Sequence, residues 1–277
     1  MTGETREIFR RGSTTFFNSS LFFPPDIRRD VTALYAFVRV ADDYVDAVPQ
    51  QREEFLAYRQ AFSDACANRL PPHPVIDPFV ELMRRCAFDP AWVEAFLDAM
   101  EQDLHKRDYL TLDETLHYIH GSAEVVGMMM ARIMRLPDEA LTSAAMLGRA
   151  FQYVNFVRDL QEDLLLGRRY LPRDEMDSAG LTDLTESAAR AQPEAFASFI
   201  QSQLRRYAEW QSEGEAGFGY IPRRLRIAIQ TASRMYAYTA KKIEEDPFVV
   251  FRGKVKPSRP RIIGTALLSA LNGAKRG

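Results

Sequence analysis

Residues 152–163 read QYVNFVRDLQED, and oxygen-bearing side chains recur there at every fourth position: Asn155, Asp159, Asp163. Residues four apart lie on one face of an α-helix, each a turn above the last. On that wheel Gln152, Asn155, Asp159, Glu162 and Asp163 share a face. Leu147, Phe151, Val154 and Leu165 flank it on one side, and Tyr153, Val157, Leu160 and Leu164 on the other. A polar stripe hemmed in by two apolar ones describes a helix that lines a cavity. Asp and Asn are weak helix formers, and like charges at this spacing repel by roughly a few tenths of a kcal/mol. A cation must therefore repay the arrangement. Oxygen ligands of this kind suit Mg²⁺, which is commonly shared between one or two carboxylates and the phosphates of a substrate.

A second ladder, Asp42 and Asp46, stands more than a hundred residues earlier. Pro24 and Pro25 break the chain before it, the pattern predicts a helix from Asp26 to about Ala47, and Pro49 ends it. Ile27, Val31, Leu34, Val38 and Val45 form a core stripe. Tyr35, Arg39, Asp42 and Asp46 form another about 90° away, with Asp43 further out. Alone, Asp42 and Asp46 would read as a solvated acidic face. Arg39 and Tyr35 on the same stripe, together with the second ladder, turn the reading toward a diphosphate site.

The remaining periodicity is also helical. It predicts helices in the stretches 52–70, 79–88, 91–106, 112–134 and from Glu139 to about Leu166. They resume over 194–221 and 223–245, with a short last one from Ile262 to Asn272. PPHPVIDP, residues 71–78, reads as a loop or a helix N-terminus. No stretch alternates long enough to demand a sheet, and no repeat or linker divides the chain. The expected fold is all-α, a multi-helix bundle around one central cavity, with residues 1–277 as a single domain.

Composition narrows the function. A net charge of −2 argues against nucleic acid as a partner. Cys66 and Cys86 lack the spacing of a zinc site or a disulfide framework. No apolar run reaches the ~18 residues of a membrane span, and MTGETREIFRRGSTTFF lacks a signal-peptide core. A cytoplasmic protein is expected, with peripheral membrane contact for product release left open, as is the oligomeric state.

Four segments carry a resemblance: STTF (13–16), YAFVRVADDYVD (35–46), YIHGSAEVVG (118–127) and NFVRDLQEDLLLGRRYLP (155–172). With MEQDLHKRDY before them and YAYTAKKIEEDPFVVFRGKV near the end, they span nearly the whole chain. The sequence resembles the squalene and phytoene synthase family, head-to-head prenyl transferases with the isoprenoid synthase fold, most of all a bacterial or archaeal phytoene synthase. The resemblance implies that Asp42, Asp46, Asn155, Asp159 and Asp163 hold Mg²⁺, or Mn²⁺ in its place, against two prenyl diphosphates. It implies that Ser13 and Thr15 hydrogen-bond diphosphate oxygens, that Arg39 and Arg158 neutralise them, and that Phe16 and Gln152 touch the substrate. Tyr35, Tyr109 and Tyr236 match tyrosines near the diphosphates and the reacting carbons. Lys254 stands where a basic diphosphate contact is usual, with Arg252 close enough to compete for the role.

The implied reaction condenses two prenyl diphosphates through a cyclopropylcarbinyl diphosphate. Two geranylgeranyl diphosphates would give phytoene. The alternatives are dehydrosqualene or squalene from two farnesyl diphosphates, squalene alone requiring NADPH, and a non-catalytic relative that acts as an assembly factor. Phe16, Phe17, Phe22, Phe23 and Tyr35 are candidates for an aromatic wall around the carbocations, or for ordinary core. Met128, Met129 and Met130 suit either the core or a prenyl channel. Two departures stand out. Asp108 separates Arg107 from Tyr109, and Glu124 replaces a glycine of many members, so it is expected to be protonated, paired with a cation, or part of the site. Arg168 and Arg169 are expected to cap a helix end or to reach a diphosphate, and His117 and His120 to be structural or exposed.

Overall fold

A computed structural model describes residues 20–69, 72–253, 255, 257–258, 261–262 and 264–265. Ser13, Thr15, Phe16, Phe17 and Lys254, and most of the expected last helix, lie outside these residues. The described chain is helical, and two residues alone, Asp108 and Arg169, pair as an isolated β-bridge.

The helices in chain order are α1 (Pro25–Asp46), α2 (Arg52–Cys66), α3 (Ile76–Arg85), α4 (Pro90–Gln102), α5 (Leu112–Ile119), α6 (Val125–Ile133) and α7 (Leu141–Arg158). They continue with α8 (Leu160–Leu165), α9 (Arg173–Ser178), α10 (Glu186–Ala191), α11 (Pro193–Glu215) and α12 (Arg223–Glu245). Starts follow local chemistry. Proline occupies the first turn of α1, α4 and α11, where its missing N–H costs nothing. Asp89 and Thr111 accept backbone N–H bonds at the heads of α4 and α5.

Two expected long helices are interrupted, both next to the site. The stretch 112–134 contains a wide π turn, His120–Glu124, between α5 and α6. The stretch 139–166 breaks at Asp159, whose φ of −95° and ψ of 12° leave the helical region. The ladder nevertheless survives: Asp159 N donates to Asn155 O at 2.8 Å, and Asp163 N to Asp159 O at 2.9 Å. The short helices α9 and α10 were not foreseen.

α7 is the central element and packs against α6, α11, α12 and the π turn. Its contacts with α6 and with the π turn are close because glycines face backbone there. A Cβ on Gly127 would lie 2.3 Å from Ala144 O, and one on Gly148 2.4 Å from Ala123 O. α1 is buried on more sides than its expected stripe allows. Ala36, Phe37 and Ala41 are fully enclosed, and Phe37 stacks on Phe79 at 3.8 Å amid Tyr58, Phe62 and Phe96. Each such phenylalanine contributes about 1.5–3 kcal/mol of burial, which fixes α1 against α2, α3 and α4. Arg85 on α3 adds a two-pronged pair to the buried Asp30 of α1, at 2.8 and 3.0 Å. Anchored on this side, α1 presents Tyr35, Val38, Arg39, Asp42 and Asp46 to the interior of the bundle.

Candidate active site

Both ladders open onto one cavity of about 410 Å³. Tyr35, Arg39, Asp42 and Asp46 reach it from α1, and Gln152, Asn155 and Arg158 from α7. Asp159 and Asp163 follow from the break and from α8, and Tyr236 from α12. Of the expected metal, diphosphate and reaction-site residues within the described chain, Tyr109 and Arg252 are absent from the wall, and Arg252 pairs instead with Asp246 at 2.7 Å. Tyr109 is fully buried behind the cavity, where its hydroxyl donates to Gln102 Oε1 at 3.1 Å and its ring packs on Tyr118 and Tyr170. The expectation of a Tyr109 at the reacting carbons is therefore corrected. Tyr118 and Tyr170 line the cavity in front of it. Of the two readings open for Phe22 and Phe23 the structure takes the core one, since neither lines the cavity, Phe23 belongs to the core and Phe22 packs against it.

The electrostatics are those of crowded carboxyls. Burial and then Asp46 push the Asp42 carboxyl up to about 7, against the pull of Arg39. Burial, Asp159 and Asp46 push Asp163 well above the usual carboxylate range. Asp42 is nonetheless open to the cavity, with 35% of its side chain exposed. Arginines partly offset the negative charge. Arg39 pairs with Asp42 at 2.8 Å and Asp43 at 2.5 Å, and Arg158 grips Asp159 through Nε at 2.8 Å and a terminal nitrogen at 2.5 Å. Burial raises the Tyr236 phenol, with Arg158 and Asn155 opposing.

Arg168 does not cap the helix end. Gly167, at φ 71°, ends α8 in the left-handed conformation that glycine tolerates, and Arg168 N returns to Asp163 O at 2.8 Å. The reversed chain sends the Arg168 side chain, 3% exposed, across to α1. There it donates to Asp46 Oδ1 at 2.6 Å and to Val45 O at 2.5 Å. Behind it lies Asp103, 2% exposed, which accepts from Tyr118 at 2.5 Å and Tyr170 at 2.8 Å and sits 3.9 Å from the guanidinium. Burial lifts Asp103 to about 6 even against Arg168 and the two phenols. This polar cluster fixes the position of Asp46 from behind. Its only trace in the sequence is an arginine following a glycine. Arg169 does not cap the helix either, and pairs with Asp183 at 3.1 Å.

Glu124 is settled as one half of an ion pair. Arg149 Nε lies 2.5 Å from one carboxylate oxygen and His120 Nδ1 3.0 Å from the other. His120 thus finds its carboxylate partner four residues on along the same chain segment. Glu124 lines neither this cavity nor the one beside it.

That second cavity, of about 200 Å³, is apolar, and it runs beside α7 toward Ala140 and Phe218. The two share Ser122, Val126, Met130, Gln152, Asn155 and Tyr236, so they meet along one wall. The first cavity has its own apolar extension, walled by Val31, Leu34, Phe96 and Met100. One charged mouth thus adjoins two greasy arms. Ser122, Val126 and Met130, spaced four apart on one helical edge, divide them. Met130 is channel wall as well as core.

The donors suit a hard divalent ion. The buried Asn155 Oδ1 has no hydrogen-bond partner, and Asp42, Asp46, Asp159 and Asp163 on the same cavity also offer oxygen. Among the described residues no three carboxylate or histidine side chains form a ready cage.

Comparison with known proteins gives the same picture. The family model described as squalene/phytoene synthase matches residues 9–261. The chain is 32% identical to a 15-cis-phytoene synthase of Paracoccus sp., over 93% of this chain and 87% of that one. It is 33% identical to a 15-cis-phytoene synthase of Enterobacter agglomerans, over 95% and 92%. Among solved structures, a dehydrosqualene synthase in complex with ligand superposes with a TM-score of 0.87 at 21% identity, covering 98% of this chain and 96% of that one. Squalene synthase HpnC from Alicyclobacillus acidocaldarius does so with a TM-score of 0.76 at 23% identity, over 88% and 93%. These two likenesses show the fold.

Proposed function

Since the chain belongs to the squalene/phytoene synthase family and is a prenyltransferase, we propose that it condenses two geranylgeranyl diphosphates head to head into phytoene. The observation that carries the proposal is the single acidic mouth with two apolar arms, one for each prenyl chain. The relatives named 15-cis-phytoene synthase favour the twenty-carbon substrate over farnesyl diphosphate.

Asp42, Asp46, Asn155, Asp159 and Asp163 would hold magnesium, with manganese as a substitute. Bound there, the metal neutralises the charge that develops on departing diphosphate. Arg39 and Arg158 supply fixed positive charge beside the same oxygens, where a fork of two donors suits phosphate. Ser13, Thr15 and Lys254 are assigned diphosphate oxygens by the family pattern alone, and Phe16 a substrate contact on the same ground. Gln152 sits where the mouth meets the arms. Tyr35 and Tyr236, whose phenols burial keeps protonated, offer ring faces to a passing allylic cation. The apolar arms exclude water that would otherwise capture that cation. Each substrate loses its diphosphate and two protons leave in all, so phytoene formation needs no reductant. NADPH would be needed only for squalene.

We also take residues 1–277 as one functional domain. No helix among the described residues is long and apolar enough to cross a membrane. A peripheral contact would suit release of so greasy a product.

The test is incubation of purified protein with geranylgeranyl or farnesyl diphosphate and Mg²⁺, with and without NADPH, followed by analysis of the hydrocarbon. Phytoene from the twenty-carbon substrate, independent of NADPH, is expected. A product from farnesyl diphosphate alone would move the assignment to dehydrosqualene or squalene, and no hydrocarbon from either would overturn it.

A further inference from the structure

The second arm runs along three elements that agree in direction. On α7 its lining passes from Gln152 and Asn155, shared with the mouth, through Leu147 to Ser143, and Ala140 lies just beyond. Asn155 to Ser143 is about 18 Å at 1.5 Å per residue. On α6 the same course runs through Val126 and Met130 to Met134. On α12 it runs from Tyr236 back to Ile229, about 10 Å. The residues confined to the far end come from two interhelical connections. Leu136 lies in the turn between α6 and α7, and Phe218 and Ile221 lie in the turn between α11 and α12.

The turn that carries Phe218 is locked to α7. A Cβ on Gly217 would stand 2.3 Å from Ser143 Cβ, so the turn carrying Phe218 rests directly on the head of α7. Leu136 is 7% exposed and Ile221 5%, so both are held by packing rather than free to swing aside. We propose that Leu136 and Phe218 are the length gauge of this arm. Chains that end short of them are accommodated, and chains that reach past them are excluded. Ile229 marks a halfway position where added bulk would shorten the arm. The gauge rests on the condensing reading for its biological meaning. Its binding consequence does not, because arm length decides which chain fits whether or not condensation follows.

The test uses the full chain and its Phe218→Ala, Leu136→Ala and Ile229→Trp variants. Equilibrium binding of unreactive prenyl thiodiphosphates of fifteen, twenty and twenty-five carbons is measured with Mg²⁺, beside product analysis from the matching diphosphates. The unaltered chain is expected to prefer the twenty-carbon probe over the twenty-five-carbon one by at least tenfold. Phe218→Ala and Leu136→Ala should each improve binding of the longer probe at least tenfold. Ile229→Trp, placed short of the end of even a fifteen-carbon chain, should weaken the fifteen- and twenty-carbon probes alike, each by at least tenfold. Leu136→Ala, on the opposite turn, carries the expectation if circular dichroism shows Phe218→Ala unfolded. A twenty-to-twenty-five preference within twofold of the unaltered chain in the folded Phe218→Ala or Leu136→Ala variant would overturn the gauge, as would unchanged binding of both shorter probes to folded Ile229→Trp. Shifted preferences in a protein that forms no hydrocarbon would uphold the gauge and sink the condensing reading.

Discussion

Asp159 and Arg168 are the residues whose surroundings most constrain what they do. Asp159 sits at a helix break with its carboxylate gripped by Arg158, which is itself largely enclosed. Removing the carboxylate outright would strand that arginine, so Asp159→Asn is the better probe. It keeps the shape and one acceptor but loses the charge that a divalent ion needs. We expect turnover to fall by about a hundredfold or more while circular dichroism and melting temperature stay close to those of the parent. Arg168 has the opposite profile, since it is buried between two aspartates and serves both. Arg168→Met would leave Asp103 enclosed without a cation and should cost about 3–5 kcal/mol in urea denaturation. An unchanged midpoint would show that Tyr118 and Tyr170 suffice to hold it. Asp159 was legible in the sequence because its partners stand four residues away on the same chain segment. Arg168 was not, because its meaning depends on Asp46 and Asp103, far off in sequence and brought near by the fold.

Elements tell a similar story. The long helices follow from apolar periodicity and proline punctuation, and α1, α2, α4, α11 and α12 appear within a few residues of their expected bounds. The six-residue helices α9 and α10 are too short for periodicity to distinguish from loop. The π turn at His120–Glu124 is also silent in sequence, since one wider turn leaves composition untouched. In it, Glu124 turns away from both cavities and ties the turn to α7 through Arg149. For this reason Glu124→Gln should keep turnover within about threefold of the parent and lose about 1–3 kcal/mol of stability, read by paired steady-state and denaturation measurements. A collapse in rate with stability intact would return Glu124 to the reaction.

At the scale of the whole molecule, carboxyl crowding makes folding and metal binding oppose and then support one another. Burial and then Asp46 push the Asp42 carboxyl up to about 7 in the folded protein, against about 3.9 when unfolded. Between those values the native state holds a proton that the unfolded state has released, so this group's contribution to stability falls as pH rises. In chelator, the melting temperature should drop from pH 5 to pH 7.5, and less steeply in Asp42→Asn. Mg²⁺ with diphosphate should raise it, and more at pH 7.5 than at pH 5, because the ion competes with that proton. Scanning calorimetry at the two pH values checks both signs. The helical bundle and the acidic mouth were foreseeable at this scale. The forked interior was not, because it depends on which faces of α6 and α7 the glycines bring together. The ridge of Ser122, Val126 and Met130 between the two arms has an evolutionary consequence. A bulkier or leaner side chain there alters both compartments at once, so neither can drift in size alone. Partners of unequal length should therefore arise from changes at the two distal turns, where one compartment can be retailored without disturbing its neighbour.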